Sequence, residues 1–351
     1  MSIRHDNKHK QYLYGTFKTT HHTMHRIILF GKSKRRTRTT FHLVRAFKEC
    51  GNTVLWLNPA KIRRHRKNES DRWILNKIKT FDPDIIFIYS KDMPLGVLQK
   101  IAGGSVKIML YYEDMRPEVP TSLVQMGRLV DFFLATNKGM LADYKKAGIA
   151  RPIYFIGACD RHDHRLRRPV LPVWKSDIAF IGQARADEPR VVLIHKLAER
   201  FNVKVYGKNW LAFGIKPTLK AVTPRSYALV CQGAKIILGA DITNEVEGYW
   251  SNRLWLTLGC GGFFLTAYVR GMENYFENKR HLVWYDSEAE CLSLAEEYLA
   301  KPDIRRKIAR QGYHRVHERH TFHHFVQRAI ALCIPERSQV ENEDGKGHLK
   351  R

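Results

Sequence analysis

DIAFIG (177–182), EPRVVLIHKLAERF (188–201) and VKVYG (203–207) are the stretch on which the reading of the fold turns. Two short runs of branched and aromatic residues flank a segment of helical periodicity that opens near Pro189. That is a βαβ unit. Strands apolar on both faces belong to a parallel sheet covered by helices on both sides. Downstream, the helical runs 223–234 and 251–261 alternate with the apolar runs KIILGA (235–240), GFFLTA (262–267) and HLVWY (281–285), and helical sequence follows from 287 onward. Upstream, RIILFG (26–31), TVLWLNP (53–59), DIIFIYS (84–90), KIMLYY (107–112), DFFLAT (131–136) and PIYFIG (152–157) alternate with helical segments in the same way. The helix in 40–51 ends at Gly51.

Between the two series lies CDRHDHRLRRPVLPVWKS (159–176), with two prolines, dense charge and no periodicity. It predicts a connection between two domains. The expected class is α/β, two tandem Rossmann-like doubly wound domains facing a cleft. The expected boundaries are a basic, His-rich tail (1–25), an N-terminal domain (26–160), a linker (161–176), a C-terminal domain (177–315), a terminal helix returning towards the N-terminal domain (316–335) and a disordered tail (336–351). In doubly wound sheets a ligand lies beyond the carboxyl ends of the strands, which puts the site between the domains.

Composition narrows the function. Of 351 residues, 44% are hydrophobic and 27% charged, ordinary for a globular chain. The longest nearly apolar run, 258–269, is too short to span a bilayer, and the N-terminus has no apolar core behind its charges. Six scattered cysteines without a CxxC read as buried thiols in a reducing, cytoplasmic setting. The net charge of +26 is uneven: residues 1–70 hold 17 Lys and Arg against three acids. Lys32, Lys34, Arg35, Arg36 and Arg38 form one basic cluster, and Lys61, Arg63, Arg64, Arg66 and Lys67 another. Such a field attracts a polyanion: nucleic acid, an anionic polymer, acidic lipid headgroups or nucleotide phosphates.

Several motifs are weaker than they look. GKS (31–33) lacks the earlier glycine of a P-loop, because Arg26 stands there. DPD (82–84) precedes a strand, where Pro83 suits the strand's start, rather than following one as a metal-binding motif would. DRHDH (160–164) offers metal-ligand types, but it falls in the linker, and no metal is expected. GCGG (259–262) ends a helix and is not a dinucleotide fingerprint, which argues against an oxidoreductase. More informative is YWSNRLWL (249–256), where Ser251 or Asn252 caps a helix with Arg253 in its first turn, an arrangement suited to a diphosphate. YYEDMRPE (111–118) ends a strand with Glu113 and Asp114 facing the expected cleft, where a carboxylate can take a proton from an acceptor hydroxyl, pair with Arg116 or cap a helix.

The run from Ser251 to Phe322, with LYYEDMRPEVP (110–120), ATNKGMLADYKKAGI (135–149) and 177–210, resembles the CgeB-like glycosyltransferases, the group-one-related transferases of bacteria and their phages. The resemblance covers roughly residues 80–325; the first 80 match only as a Rossmann pattern. It implies a GT-B fold, a nucleotide-sugar co-substrate on the C-terminal domain, an acceptor on the N-terminal domain, and transfer without metal or other cofactor. Carried over residue by residue, it places Gly182, Arg185, Gly207 and Lys208 near the diphosphate, Asn252 and Arg253 at the donor-side helix, and Gly261 and Gly262 beside the sugar. Gly271 and Glu273 lie in a loop of donor contacts, and Asp114, with Glu113, is the catalytic carboxylate. Relatives often carry a glutamate for the ribose where this chain has Leu256, so the expectation is that either Glu245 or Glu247 substitutes or the donor contact is weakened. With the basic first fifth, the reading is sugar transfer to a hydroxyl of an acceptor that is a polyanion such as modified DNA. The alternative is a non-catalytic nucleic-acid-binding protein on a degenerate transferase scaffold.

Overall fold

In the computed structural model, residues 24–32, 39–167, 169–185 and 189–333 are described. The expected tails, for the most part, and the cluster residues Lys34, Arg35, Arg36 and Arg38 lie outside them. The apolar runs form two parallel sheets. The first holds β1 (Arg26–Phe30), β2 (Thr53–Leu57), β3 (Ile85–Tyr89), β4 (Lys107–Tyr112), β5 (Phe132–Ala135) and β6 (Pro152–Tyr154), in the order β2-β1-β3-β4-β5-β6. The second holds β7 (Ser176–Ile181), β8 (Val203–Tyr206), β9 (Ala234–Gly239), β10 (Phe264–Ala267) and β11 (Val283–Tyr285), in the order β11-β10-β9-β7-β8. Both orders reverse once, at β1/β3 and at β7/β9, and each reversal opens a crevice at the carboxyl ends of its strands.

Helices cover both faces of each sheet, as the two-sided burial of the strands requires. On the first sheet they are α1 (Thr39–Glu49), α2 (Pro59–Arg66), α3 (Ser70–Phe81), α4 (Leu95–Ile101), α5 (Thr121–Gly127) and α6 (Leu141–Lys146). The basic stretch 61–81 is therefore two helices. The second sheet carries α7 (Pro189–Ala198), α8 (Pro224–Gly233), α9 (Arg253–Gly259), α10 (Glu288–Ala300) and α11 (Pro302–Arg319). Thr223 caps α8 with a reciprocal bond to Ser226, and Pro224 takes the first helical position, where no N–H is needed.

The last helix, α12 (Phe322–Ala331), belongs to the other layer. Its Phe322, Phe325, Val326 and Ala329 pack with Ile27, Leu29, Phe87 and Tyr111 on the first sheet. The chain thus passes between the sheets twice, and the two passages are tied together. The Cys159 N–H donates to the His320 carbonyl at 2.9 Å, and the Phe322 N–H to the Cys159 carbonyl at 2.9 Å. Phe325 is fully buried, with ring centres 4.8 Å from Tyr111 and 4.7 Å from Phe155. Phe325→Ala is expected to cost about 3–5 kcal/mol in urea unfolding; a loss below about 1 kcal/mol would mean that α12 is not anchored by this ring.

Candidate active site

A cavity of about 490 Å³ lies between the carboxyl ends of the two sheets. Thr39, Tyr89, Glu113, Asp114 and Thr136 reach it from loops and strand ends of the first sheet, and Thr223, Tyr227 and the segment from Gly248 to Asn252 from the second. Tyr154, Tyr249, Trp250 and Trp255 supply aromatic wall.

Glu113 is its most heavily bonded carboxylate. It follows β4, while Tyr89 ends β3 and pairs with Tyr111 across the two strands. Register therefore delivers two phenols to one side chain: Tyr89 and Tyr111 both donate to Glu113, the latter at 3.3 Å. The third donor crosses the cleft, from Asn252 Nδ2 to Oε1 at 3.1 Å. Burial raises the Glu113 pKa above the ordinary glutamate range, against the lowering effect of Tyr89 and Asn252. Asp114, one residue on, is exposed at the same cavity. The expected pairing with Arg116 is not what holds Glu113: its partners are two phenols, an amide and the Thr39 hydroxyl.

Asn252 therefore does not cap α9 as expected, since its amide is spent on Glu113 and its side chain makes no capping bond. Arg253 is turned inward for part of its length. It is 9% exposed: Nε donates to the Ile181 carbonyl at 2.8 Å, and Nη1 to the Ala240 carbonyl at 3.2 Å and to Asp241 at 3.1 Å. Its guanidinium lies over the Phe180 ring at 4.6 Å. It spans the ends of β7 and β9, the crevice where strand order reverses, and fills it. Its Nε and Nη1 are thus engaged and its charge is met by Asp241, while Nη2 lies beside Gly182.

The remaining donor-side residues divide. Gly182 and Gly207 meet at the ends of β7 and β8, where a Cβ on Gly207 would stand 1.8 Å from the Gly182 carbonyl oxygen, so that crossing admits no side chain. Arg185 and Lys208 follow these glycines and are exposed. Glu247 pairs with Lys138 at 2.6 Å, and its carbonyl accepts from the Gly139 N–H, both across the domains. Glu245 is exposed. Leu256 lines the cavity. Glu273 accepts from the Gly271 N–H at 3.0 Å and from the Tyr268 hydroxyl at 3.0 Å, closing its own loop. Gly261 and Gly262 are not beside Asn252: they follow the C-terminal end of α9, ahead of β10, where a Cβ on Gly261 would meet Leu166. Seven helical residues, roughly 10 Å, separate them from the cleft.

On the first domain, Lys32 is ion-paired with Asp92 at 2.8 Å. Arg63, Arg64 and Arg66 are exposed on α2, a helix with no buried residue that starts just beyond the carboxyl end of β2. Asp84 accepts from the Arg26 N–H at 2.7 Å and Asp82 closes α3, so DPD is structural.

The expected open linker starts instead as a buried polar knot. Asp160, Asp163 and His164 are 1%, 5% and 3% exposed. Asp160 Oδ1 accepts the N–H groups of His162 and Asp163, and Arg45 of α1 donates to both carboxylates, to Asp163 at 2.8 Å. His42, also on α1, lies 3.3 Å from Asp160. His42, Asp160 and Asp163 are close enough to hold a metal ion; the positive charge bonded to both carboxylates is Arg45's. His42 and His164 line the inner end of the cavity, and nothing in the sequence spacing links position 42 to 160–164.

A native pKa above the unfolded one means that Glu113 stabilises the fold fully below the ordinary carboxylate range and that this contribution is lost as pH rises through the native value. The stability of Glu113→Gln relative to wild type should therefore grow between about pH 4 and about pH 8. Chemical unfolding across that range checks it, and a constant difference would contradict a raised Glu113.

Residues 190–331 match the family described as glycosyl transferase-like. The sequence matches no curated protein. Among solved structures, the chain resembles Anabaena HepE in complex with UDP and glucose, with a TM-score of 0.62 at 12% identity over 87% of this chain and 98% of that one. Sucrose-phosphate synthase from Thermosynechococcus elongatus gives 0.63 at 9% identity over 87% and 97%. A glycosyltransferase from Rickettsia africae gives 0.62 at 11% identity over 89% and 98%. The chain thus shares the two-sheet fold of these structures, and its residues 190–331 carry the likeness to the glycosyl transferase-like family.

Proposed function

We propose that this glycosyltransferase moves a sugar from a nucleoside-diphosphate sugar to a hydroxyl of a polyanionic acceptor, in the cleft between its two sheets and without a metal. The observation that carries the reading is the cavity itself, which joins the carboxyl ends of both sheets and holds Glu113 and Asp114 on the acceptor side. HepE, of similar fold, is described in complex with UDP-glucose, which makes a uridine nucleotide the first donor to try.

The chemistry follows from charge. The acceptor oxygen attacks the anomeric carbon, the bond to the diphosphate breaks, and the acceptor proton must leave. Asp114 is the proposed proton acceptor, being the exposed carboxylate at the cavity; Glu113 is a positioning residue whose oxygens are engaged by Tyr89, Tyr111 and Asn252. The leaving diphosphate gathers negative charge. The exposed Arg185 and Lys208 beyond β7 and β8 are the proposed donor-side cations, over the bare backbone of Gly182 and Gly207, with Nη2 of Arg253 beside Gly182. The Lys138–Glu247 and Tyr154–Gly248 contacts hold the domains together on the cleft's other side, where they help exclude water from the reacting centre.

The polyanionic acceptor rests on α2. Arg63, Arg64 and Arg66 are exposed at the same edge of the first sheet as the cavity loops, and the helix has no apolar face to enter a lipid surface. On duplex DNA the logarithm of affinity should fall with that of salt by about 0.9 per phosphate neutralised, and replacing the three arginines with glutamine should flatten the slope.

Asp114→Asn tests the catalytic half. Nucleoside-diphosphate release from a nucleotide sugar should drop about 10²–10⁴-fold with nucleotide affinity unchanged. Full transfer by the Asp114→Asn variant would remove Asp114 from the mechanism.

A further inference from the structure

The exposed apolar side chains of the second domain gather along one sheet edge. β8 is the edge strand of its sheet, and two segments run along its free side. Lys204 Nζ of β8 donates to the Val173 carbonyl at 2.8 Å, and the Trp174 ring stacks on Tyr206 with centres 6.4 Å apart. The chain then leaves β8, turns through 208–217 and comes back: the Thr218 N–H donates to the Val205 carbonyl at 2.8 Å, and the Gly207 N–H to the Leu219 carbonyl at 2.8 Å. Tyr206 is thus flanked by Trp174 and by Leu219. The residues beside these anchors face solvent. Leu171 and Val173 are each 56% exposed, Leu219 38%, and Leu211, on the returning loop, 63%. Four of the nine exposed large hydrophobic residues among the described ones therefore border this edge.

Cations are set among them. Lys175, Lys216 and Lys220 are exposed. Segments 165–176 and 200–240 together hold eleven Lys and Arg and no Asp or Glu. Aliphatic side chains interleaved with lysines suit a surface that is anionic at its face and apolar just beneath. Nucleic acid is met through its phosphates by cations alone, as the arginines of α2 would meet it, and has no use for Leu171 or Val173. A second copy laid on the same face would set lysines against lysines. No described helix is long and apolar enough to cross a bilayer, so such a contact is made from the bilayer's surface. We infer that the β8 edge of the second domain docks on an anionic lipid surface, with Leu171, Val173 and Leu219 entering the headgroup boundary and Lys175, Lys216 and Lys220 meeting lipid phosphates. The inference does not rest on the transferase reading.

Flotation of the full chain with vesicles tests it. Binding should be strong to phosphatidylcholine vesicles containing about one third phosphatidylglycerol, weak to phosphatidylcholine alone, and weaker as salt rises. Replacing Lys175, Lys216 and Lys220 with glutamine should lower the partition coefficient about a hundredfold. Leu171→Ser combined with Val173→Ser and Leu219→Ser should lower it about tenfold. Both variants alter exposed side chains and should keep the wild-type melting temperature. The variant with glutamine for the three arginines of α2 should still bind vesicles. Binding that survives both edge variants, or that is lost with the α2 arginines, would overturn the proposal. So would a chain that binds neither vesicle, or one that sediments as a dimer until the two leucines and the valine are replaced. A UDP titration of the same samples reports on the transferase reading separately, so the two can fail independently.

Discussion

The Glu113 carboxylate is where the two halves of this molecule meet. Strand register brings Tyr89 and Tyr111 to it from the first sheet, and Asn252 reaches it from the second. The bonds compensate for burial, yet burial still raises its pKa. A carboxylate bonded from both sides fixes the width of the cleft at that point, and the cavity, its aromatic walls and Asp114 are arranged around it. The opposite side is held by Lys138–Glu247 and by the Tyr154 hydroxyl on the Gly248 carbonyl. The third tie is the knot of Arg45, His42, Asp160 and Asp163, at the point where the chain first crosses between the domains.

Positive charge is divided in a way that follows from this closure. Inside the folded body, Arg45 and Arg253 are each bound to carboxylates and serve structure. Exposed cations stand outside, as Arg185 and Lys208 on the second domain and the arginines of α2 on the first. Among the described residues, the cavity is lined without Lys or Arg. On the proposed reading, charged parts of the substrates would meet cations outside the cavity.

The two sheets were legible because strands buried on both faces leave unbroken apolar runs, as in IIFIY and KIMLYY, and because Gly51 and Pro189 mark helix ends by backbone geometry alone. Glu113 and Asp114 were legible as carboxylates ending a strand. Their partners were not, since Tyr89, Tyr111 and Asn252 are joined by sheet register and domain closure rather than spacing. The inward contacts of Arg253 were not legible either: a helix opening with an arginine suits a phosphate, and spacing does not show that Nε and Nη1 meet the carbonyls of Ile181 and Ala240 and the carboxylate of Asp241. Dense charge in 159–176 suggested solvent, yet a chain crossing an interface can bury its charges when Arg45 stands opposite them. His164 was visible only as part of DRHDH, and nothing in the spacing linked it to His42, more than a hundred residues away.

The central claim is that the cleft binds a nucleoside diphosphate on the second domain. Calorimetric titration of the full chain with UDP, GDP, ADP and CDP tests it most directly. The account predicts saturable one-to-one binding of one of them, weakened when Arg185 and Lys208 are both replaced by glutamine. No binding of any nucleotide, with intact affinity for duplex DNA, would contradict it and leave a nucleic-acid-binding protein on a transferase fold.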